Sequence, residues 1–109
     1  MAKTGQARVR VGSAQKGQPT QVRALILHPM ETGLRKDPDT GEKIPAHWVK
    51  KVKADFNGER VFEADWSVAV SKNPYLSYYL TPESSGTLKM TWEDNKGGTF
   101  TAEAEVSVG

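Results

Sequence analysis

The sequence predicts an all-β protein, an immunoglobulin-like antiparallel β-sandwich of about seven strands. Apolar and polar residues alternate with a period of two in several short segments, and no segment shows sustained helical periodicity. Turn signals such as Asn57-Gly58 separate these segments. Short strands with this spacing are typical of two packed sheets, although closure into a barrel is compatible with the same pattern.

Three strands are predicted in the first half of the chain. Residues 8–11 alternate arginine with valine. Residues 22–27 are apolar on both faces, which predicts a strand that is covered on both sides. Pro29 should end this strand, because proline has no amide donor and keeps the preceding residue extended. Residues 48–56 place apolar side chains on one face and charged ones on the other.

The second half of the chain continues the alternation. Asn57-Gly58 predicts a type I′ hairpin turn, because that turn needs positive φ at both central residues. Four further strand-like segments follow, at residues 62–66, 76–80, 88–92 and 100–108.

A long polar segment, residues 30–46, separates the second and third predicted strands. It exceeds the length at which loops without secondary structure become uncommon. Its middle, residues 37–41, reads DPDTG, in which proline presets φ and glycine accepts a left-handed conformation. We therefore expect a hairpin-like flap with its tip near Asp39.

Composition indicates one globular domain of 109 residues, 37% hydrophobic and 26% charged. We expect residues 1–6 to form a loose tail. The net charge of +2 is too balanced to favour nucleic acid. No apolar run approaches the roughly 18–20 residues of a membrane helix, and residues 1–12 lack the apolar core of a secretory signal. Taken alone, composition predicts a cytoplasmic protein that does not insert into membranes.

The chain contains no cysteine. It therefore forms no disulfide and offers no thiolate as a nucleophile or a metal ligand. No serine lies in a nucleophile-elbow pattern, and no glycine-rich phosphate loop is present. We expect no catalytic residue and no cofactor.

A metal site is the main enzymatic alternative. His28 and Glu31 lie three residues apart, and His47 is the only other histidine. These three residues would serve a small metal-dependent enzyme if the fold brought them together. Pro29 argues against the helix that this spacing suits, so we expect His28 to cap a strand end and Glu31 to be solvated.

The aromatic residues supply a different candidate surface. We expect the three tryptophans to pack in the core, although Trp48 or Tyr79 would also suit an independent ligand-binding sandwich. Tyr78 and Tyr79 are adjacent on a predicted strand, so one of them must face away from the core. An exposed tyrosine on a strand is a good interface candidate.

Residues 22–35, which read VRALILHPMETGLR, resemble the SoxZ subunit of the sulfur-oxidation carrier complex SoxYZ. Further blocks of the same resemblance are IPAH at residues 44–47, FNG at 56–58, NPYLS at 73–77 and SGTL at 85–88. The resemblance extends from about Gln21 to Val108, and the HPMETG block, residues 28–33, is its most specific part.

The resemblance implies an immunoglobulin-like sandwich that pairs with SoxY, whose cysteine, on a flexible C-terminal arm, carries sulfur intermediates derived from thiosulfate. It implies a non-catalytic subunit of a heterodimer, with transient docking to other Sox enzymes. It also implies a periplasmic location, reached by export with a signal-bearing partner. Self-association of the isolated chain stays open. The residues that we expect to bind the partner are His28, Pro29, Met30, Glu31, Thr32, Gly33 and Tyr79.

Overall fold

The part of the chain that the structure describes contains seven β-strands, as predicted. The structure, a computed structural model, describes residues 5–109. The strands are β1 (Ala7–Val11), β2 (Thr20–Ile26), β3 (Val49–Phe56), β4 (Glu59–Asp65), β5 (Tyr75–Leu80), β6 (Gly86–Asp94) and β7 (Thr99–Val106). They form a three-stranded sheet in the order β1-β2-β5 and a four-stranded sheet in the order β4-β3-β6-β7. All pairings between these strands are antiparallel.

The core lies between the two sheets and is built by the predicted alternation. Its largest fully buried side chain is Trp92 on β6, which is 1% exposed. Trp48 and Trp66 are partly buried and pack against this core. Because large rings bury much apolar surface, they contribute strongly to the cohesion of such a sandwich. Trp48 is therefore part of the packed interior and not an exposed platform.

The prediction that β2 is covered on both sides is wrong. Val22 and Ile26 are fully buried, but Arg23 on the other face is exposed and Leu25 is only half-buried. Only one sheet packs against β2, so its second face forms part of the molecular surface. The two leucines of residues 25–27 made this face look more apolar than its environment requires.

Both predicted turns are confirmed. Asn57 and Gly58 have φ of 51° and 82°, as a type I′ turn requires. The flap is held by antiparallel bridges between Glu31 and His47 and between Lys36 and Lys43. Its tip lies at residues 38–41, as predicted, where the N–H of Gly41 donates to the carbonyl of Asp37 at 2.8 Å.

Hydrogen-bonded structure begins earlier in the chain than predicted. The N–H of Gly5 donates to the carbonyl of Leu27 at 2.6 Å, and the N–H of Leu27 donates to the carbonyl of Gln6 at 2.9 Å. The prediction of a loose tail is therefore wrong for these two residues, while residues 1–4 lie outside the described part. Within residues 5–109, no helix has the length and apolar character needed to cross a membrane.

Candidate functional site

The chain turns sharply after β2, at the segment that the sequence singles out. We call residues 28–33 the corner. Met30 has φ of 50°, a left-handed conformation that is uncommon for residues other than glycine. Asn73 fixes this turn with its side chain and its backbone, because its Oδ1 accepts from the N–H of His28 and its N–H donates to the His28 carbonyl, both at 2.9 Å.

A buried hydrogen-bonded cluster lies behind the corner. His28 Nε2 lies 3.1 Å and His47 Nε2 lies 2.7 Å from the same oxygen of Asp94, Oδ2. The rings of the two histidines meet edge to face, with centroids 4.4 Å apart. His28 is 1% exposed and Asp94 is 3% exposed. The cluster thus joins the end of β2, the end of the flap and the end of β6.

The second carboxylate oxygen of Asp94 is also satisfied. Asp94 Oδ1 accepts hydrogen bonds from the N–H of Lys96 at 3.0 Å and of Gly98 at 2.7 Å. Burial raises the pKa of Asp94, but the bonds from His28, His47 and these two amides outweigh burial and lower the pKa to about 2. The carboxylate is therefore ionised at neutral pH.

The protonation of His28 follows from its other ring nitrogen. The N–H of Met30 donates to His28 Nδ1 at 3.2 Å, so this nitrogen must be an acceptor. The ring proton therefore sits on Nε2 and is donated to Asp94. Burial lowers the pKa of His28, which favours this neutral form.

This tautomer does not suit a metal ion. His28, His47 and Asp94 place ligand-type atoms within 4.8 Å of one another. However, a metal bound at His28 Nε2 would move the ring proton to Nδ1, where it would face the N–H of Met30. Two donors would then oppose each other in a buried site. The arrangement fits a hydrogen-bonded brace, not a metal centre.

The predicted alternative set of His28, Glu31 and His47 is not assembled. Glu31 directs its carboxylate to Arg35, with Oε1 2.6 Å from Nη2. This hydrogen bond lowers the pKa of Glu31. Glu31 meets His47 through the backbone only, in two hydrogen bonds of 2.7 and 2.9 Å. Asp94 takes the position that the sequence had suggested for Glu31.

The remaining corner residues divide between interior and surface. Met30 is 5% exposed, and its Sδ accepts a hydrogen bond from the N–H of Val49 at 3.3 Å. Thr32 is exposed, whereas Pro29, Glu31 and Gly33 are half-buried. An open concavity of about 730 Å³ lies beside the corner, lined by Pro29, Met30, Glu31, Thr32, Arg35 and residues 68–72.

Tyr79 does not belong to the corner. It pairs with Gln21 at the other end of β2, seven residues before His28, so at about 3.3 Å per residue it lies about 23 Å from His28. Its side chain is 71% exposed. Tyr78 faces inward and stacks on Phe62 with ring centroids 4.6 Å apart, as the prediction of one outward tyrosine requires.

Sequence reasoning missed Asp94 and Asn95. Asn95 Oδ1 accepts from the N–H of Trp48, and its Nδ2 donates to the carbonyl of Ala46, both at 2.9 Å. In the sequence these residues carry only a turn signal before Gly97-Gly98. An acidic residue directly after an apolar strand was the available clue, but its partners lie 47 and 66 residues away.

Comparison of the sequence with known protein families identifies the family of this chain. The sequence profile of the family described as "Sulphur oxidation protein SoxZ" matches residues 8–105. No curated protein sequence matches the chain significantly.

Solved structures share the fold at low sequence identity. Superoxide reductase (neelaredoxin) from Ignicoccus hospitalis superposes with a TM-score of 0.70 at 18% identity, over 97% of this chain and 82% of that one. The sulfur carrier protein SoxY from Chlorobium limicola f thiosulfatophilum has a TM-score of 0.61 at 12% identity, over 94% of this chain and 74% of its own. A mutant of superoxide reductase (neelaredoxin) from Archaeoglobus fulgidus has a TM-score of 0.68 at 18% identity, over 97% of this chain and 92% of that one. These likenesses establish the fold alone.

Proposed function

The chain belongs to the SoxZ family of sulfur-oxidation proteins, and we propose that it is the scaffold subunit of a heterodimeric sulfur carrier. Members of this family are non-catalytic partner subunits, so the chain is not an enzyme. In the proposed complex, a SoxY-type subunit carries the sulfur intermediates on its cysteine. This chain supplies the rigid base of that carrier.

The observation that carries the proposal is the family match over residues 8–105. The chemistry of the chain agrees with it, because a subunit with no cysteine cannot hold a sulfur intermediate by a thiol. Its sandwich of seven strands is braced at one end by the buried His28–Asp94–His47 cluster. A stiff, thiol-free body is what a carrier arm on another subunit requires from its neighbour.

We further propose that the corner contributes to partner binding. Thr32 would contact the partner directly, together with the half-buried Pro29, Glu31 and Gly33. His28 and Met30 would act from beneath, since their side chains are buried. The concavity beside the corner offers room for a protruding segment of a partner.

Our proposal for location is the periplasm. Family resemblance supports it, with export depending on a signal that the partner carries. Cell fractionation with and without the co-expressed partner tests this idea. We expect the chain in the periplasmic fraction only when the partner is present, and exclusive retention in spheroplasts alongside the partner would contradict it.

Co-purification tests the heterodimer. A tagged chain is co-expressed with the SoxY-type subunit of the same organism and purified through its tag. The molar mass of the purified material is then measured by light scattering after gel filtration. We expect a complex with one copy of each subunit. A chain that stays monomeric, or pairs only with itself, at micromolar concentrations of that subunit would refute the proposal.

A further inference from the structure

The outer face of the three-stranded sheet combines positive charge with exposed aromatic rings. We call it the arginine–tyrosine face, formed by Arg8, Arg10, Arg23, Leu25, Tyr75 and Tyr79. The three arginines are exposed, and Tyr75 and Tyr79 are 61% and 71% exposed. Alternation puts them all on one side, because the residues between them on β1, β2 and β5 point into the core.

The strand register brings like charges together on this face. Arg10 lies directly opposite Arg23, and Arg8 lies opposite Leu25. Like charges at directly opposed positions destabilise a sheet. Among the described residues, no carboxylate forms an ion pair with any of the three arginines. Arg23 donates two hydrogen bonds to Gln21 Oε1, at 3.2 and 3.1 Å, but this acceptor is neutral. The positive charge of the three arginines is therefore not neutralised here, and an incoming anionic group would neutralise it.

The outer face of the four-stranded sheet provides the internal contrast. There Lys53 pairs with Glu93 at 2.7 Å, and Arg60 pairs with Asp55 at 2.7 Å. Lys51 lies 3.7 Å from Asp65. These pairs offset much of the charge on that face, whereas the opposed arginines of the arginine–tyrosine face form no ion pair with a carboxylate within residues 5–109.

The shape and chemistry of the arginine–tyrosine face suit a protein partner. A shallow hollow of about 260 Å³ is lined by Arg8, Arg10, Arg23, Ala24, Leu25 and Tyr75. Its floor is apolar and its rim is cationic. Arginine and tyrosine are enriched among the residues that dominate binding energy at protein interfaces, and a flat sheet face offers them together.

We propose that the arginine–tyrosine face docks an acidic surface of the SoxY-type partner, with carboxylates of that partner placed between Arg10, Arg23 and Arg8. The inference rests on the proposed function and adds the surface and its chemistry. Guanidinium groups bind carboxylates in paired hydrogen bonds, which gives both attraction and orientation. Tyr75 and Tyr79 flank the arginines along β5 and supply apolar contact area.

Paired charge reversals test the proposal. The Arg10→Glu/Arg23→Glu variant is compared with Lys50→Glu/Lys89→Glu, which makes the same change in charge at exposed lysines of the other sheet. Affinity for the SoxY-type subunit is measured by calorimetry at two salt concentrations, and circular dichroism confirms folding of each variant. We expect about 30-fold weaker binding for the arginine variant and less than about 3-fold for the lysine variant.

Each outcome of this experiment decides something. Wild-type affinity that falls with salt, with loss confined to the arginine variant, supports the proposal. Equal affinity of both variants and the wild type overturns it while leaving the heterodimer intact. A wild-type chain that does not bind the subunit overturns the proposed function as well. Tight binding of the wild type to a DNA duplex at 150 mM salt, lost in the arginine variant while subunit binding persists, would assign this face to a nucleic acid instead.

Discussion

The corner follows β2 along the chain, and the arginine–tyrosine face includes the outer side of β2, but the two regions treat their polar groups in opposite ways. In the corner cluster of His28, His47 and Asp94, both oxygens of Asp94 accept two hydrogen bonds each. His28 and Asp94 are buried there, and His47 is partly buried. On the face, Arg10 and Arg23 oppose each other in solvent without a carboxylate from the described residues. The difference indicates that the buried side chains of the corner serve folding, whereas a plain alternation of residues on the face leaves charged groups without a charged partner.

Removing the shared acceptor should give the largest effect. Asp94→Ala leaves two histidines and two amides without their partner, so we expect a loss of about 3–5 kcal/mol in the free energy of unfolding. Urea denaturation measures it. The matched control is Asp65→Ala, whose side chain is 83% exposed, with an expected change below about 0.5 kcal/mol. Equal free energies of unfolding for the two variants would show that the corner cluster does not stabilise the fold.

Lowering the pH should reduce the free energy of unfolding in two stages, because Asp94 and His28 of the corner cluster titrate in different pH ranges. Hydrogen bonds outweigh burial and lower the pKa of Asp94 to about 2, while the unfolded side chain titrates near about 3.9. Stability from this group is complete above pH of about 4 and falls by about 2 kcal/mol as pH drops towards 2. Because burial lowers the pKa of His28, a further loss begins below pH of about 6.5, where the unfolded histidine protonates first.

Thermal unfolding of the wild type and of Asp94→Asn across this pH range measures both stages. The variant should lose the stage below pH 4, because it has no carboxylate to protonate. Parallel profiles of the two proteins would show that Asp94 is not the responsible group.

Loss of the exposed tyrosine from the arginine–tyrosine face should change affinity and not stability. Tyr79→Ala removes an exposed ring, so we expect about 5- to 10-fold weaker binding of the SoxY-type subunit with an unchanged melting temperature. The neighbouring Tyr78→Ala should do the reverse, because it removes a ring stacked on Phe62. We expect it to lower the free energy of unfolding by about 2–4 kcal/mol. A drop in stability for Tyr79→Ala comparable to that of Tyr78→Ala would erase the distinction between the two sides of β5.

A single truncation on the face should give the smallest and most diagnostic effect. Arg23→Ala relieves the repulsion with Arg10, so we expect the free chain to become more stable by about 0.3–0.5 kcal/mol. The same change should weaken partner binding. Denaturation and calorimetry on one preparation measure both quantities, and Gln21→Ala on the same strand controls for loss of side-chain contacts. A less stable variant would argue that the fold itself uses this charge.

The sequence predicts the fold well because strand and turn signals are local. Alternation identified the strands, and Asn57-Gly58 and the flap tip followed from the conformational preferences of single residues. The site was less accessible. His28, His47 and Asp94 meet only after two sheets have packed, across separations of 47 and 66 residues, and no local pattern records such a meeting. Pro29 correctly excluded a helical pairing of His28 with Glu31, but it could not reveal the residue that replaces Glu31.

The outer face of β2 was misjudged for a related reason. Its apolar leucines suggest burial, yet burial depends on how many sheets are stacked against the strand. The apolar content of a strand therefore does not distinguish a strand that is covered on both faces from a strand whose second face is free to bind another molecule. An apolar strand that also carries an arginine without a carboxylate partner, such as Arg23, more readily fits a face that binds another molecule.

The burial of Met30 has a consequence for chemical durability. Met30 and Met90 are 5% and 0% exposed, so within residues 5–109 no sulfur atom is openly presented to solvent. Oxidants convert accessible thioethers to polar sulfoxides, which disrupt packed interiors. Burial therefore shields the thioethers of Met30 and Met90 from oxidants in solution. An oxidant would reach the Met30 sulfur freely only after the corner had opened, so the cohesion of the corner also sets how fast this side chain can be oxidised.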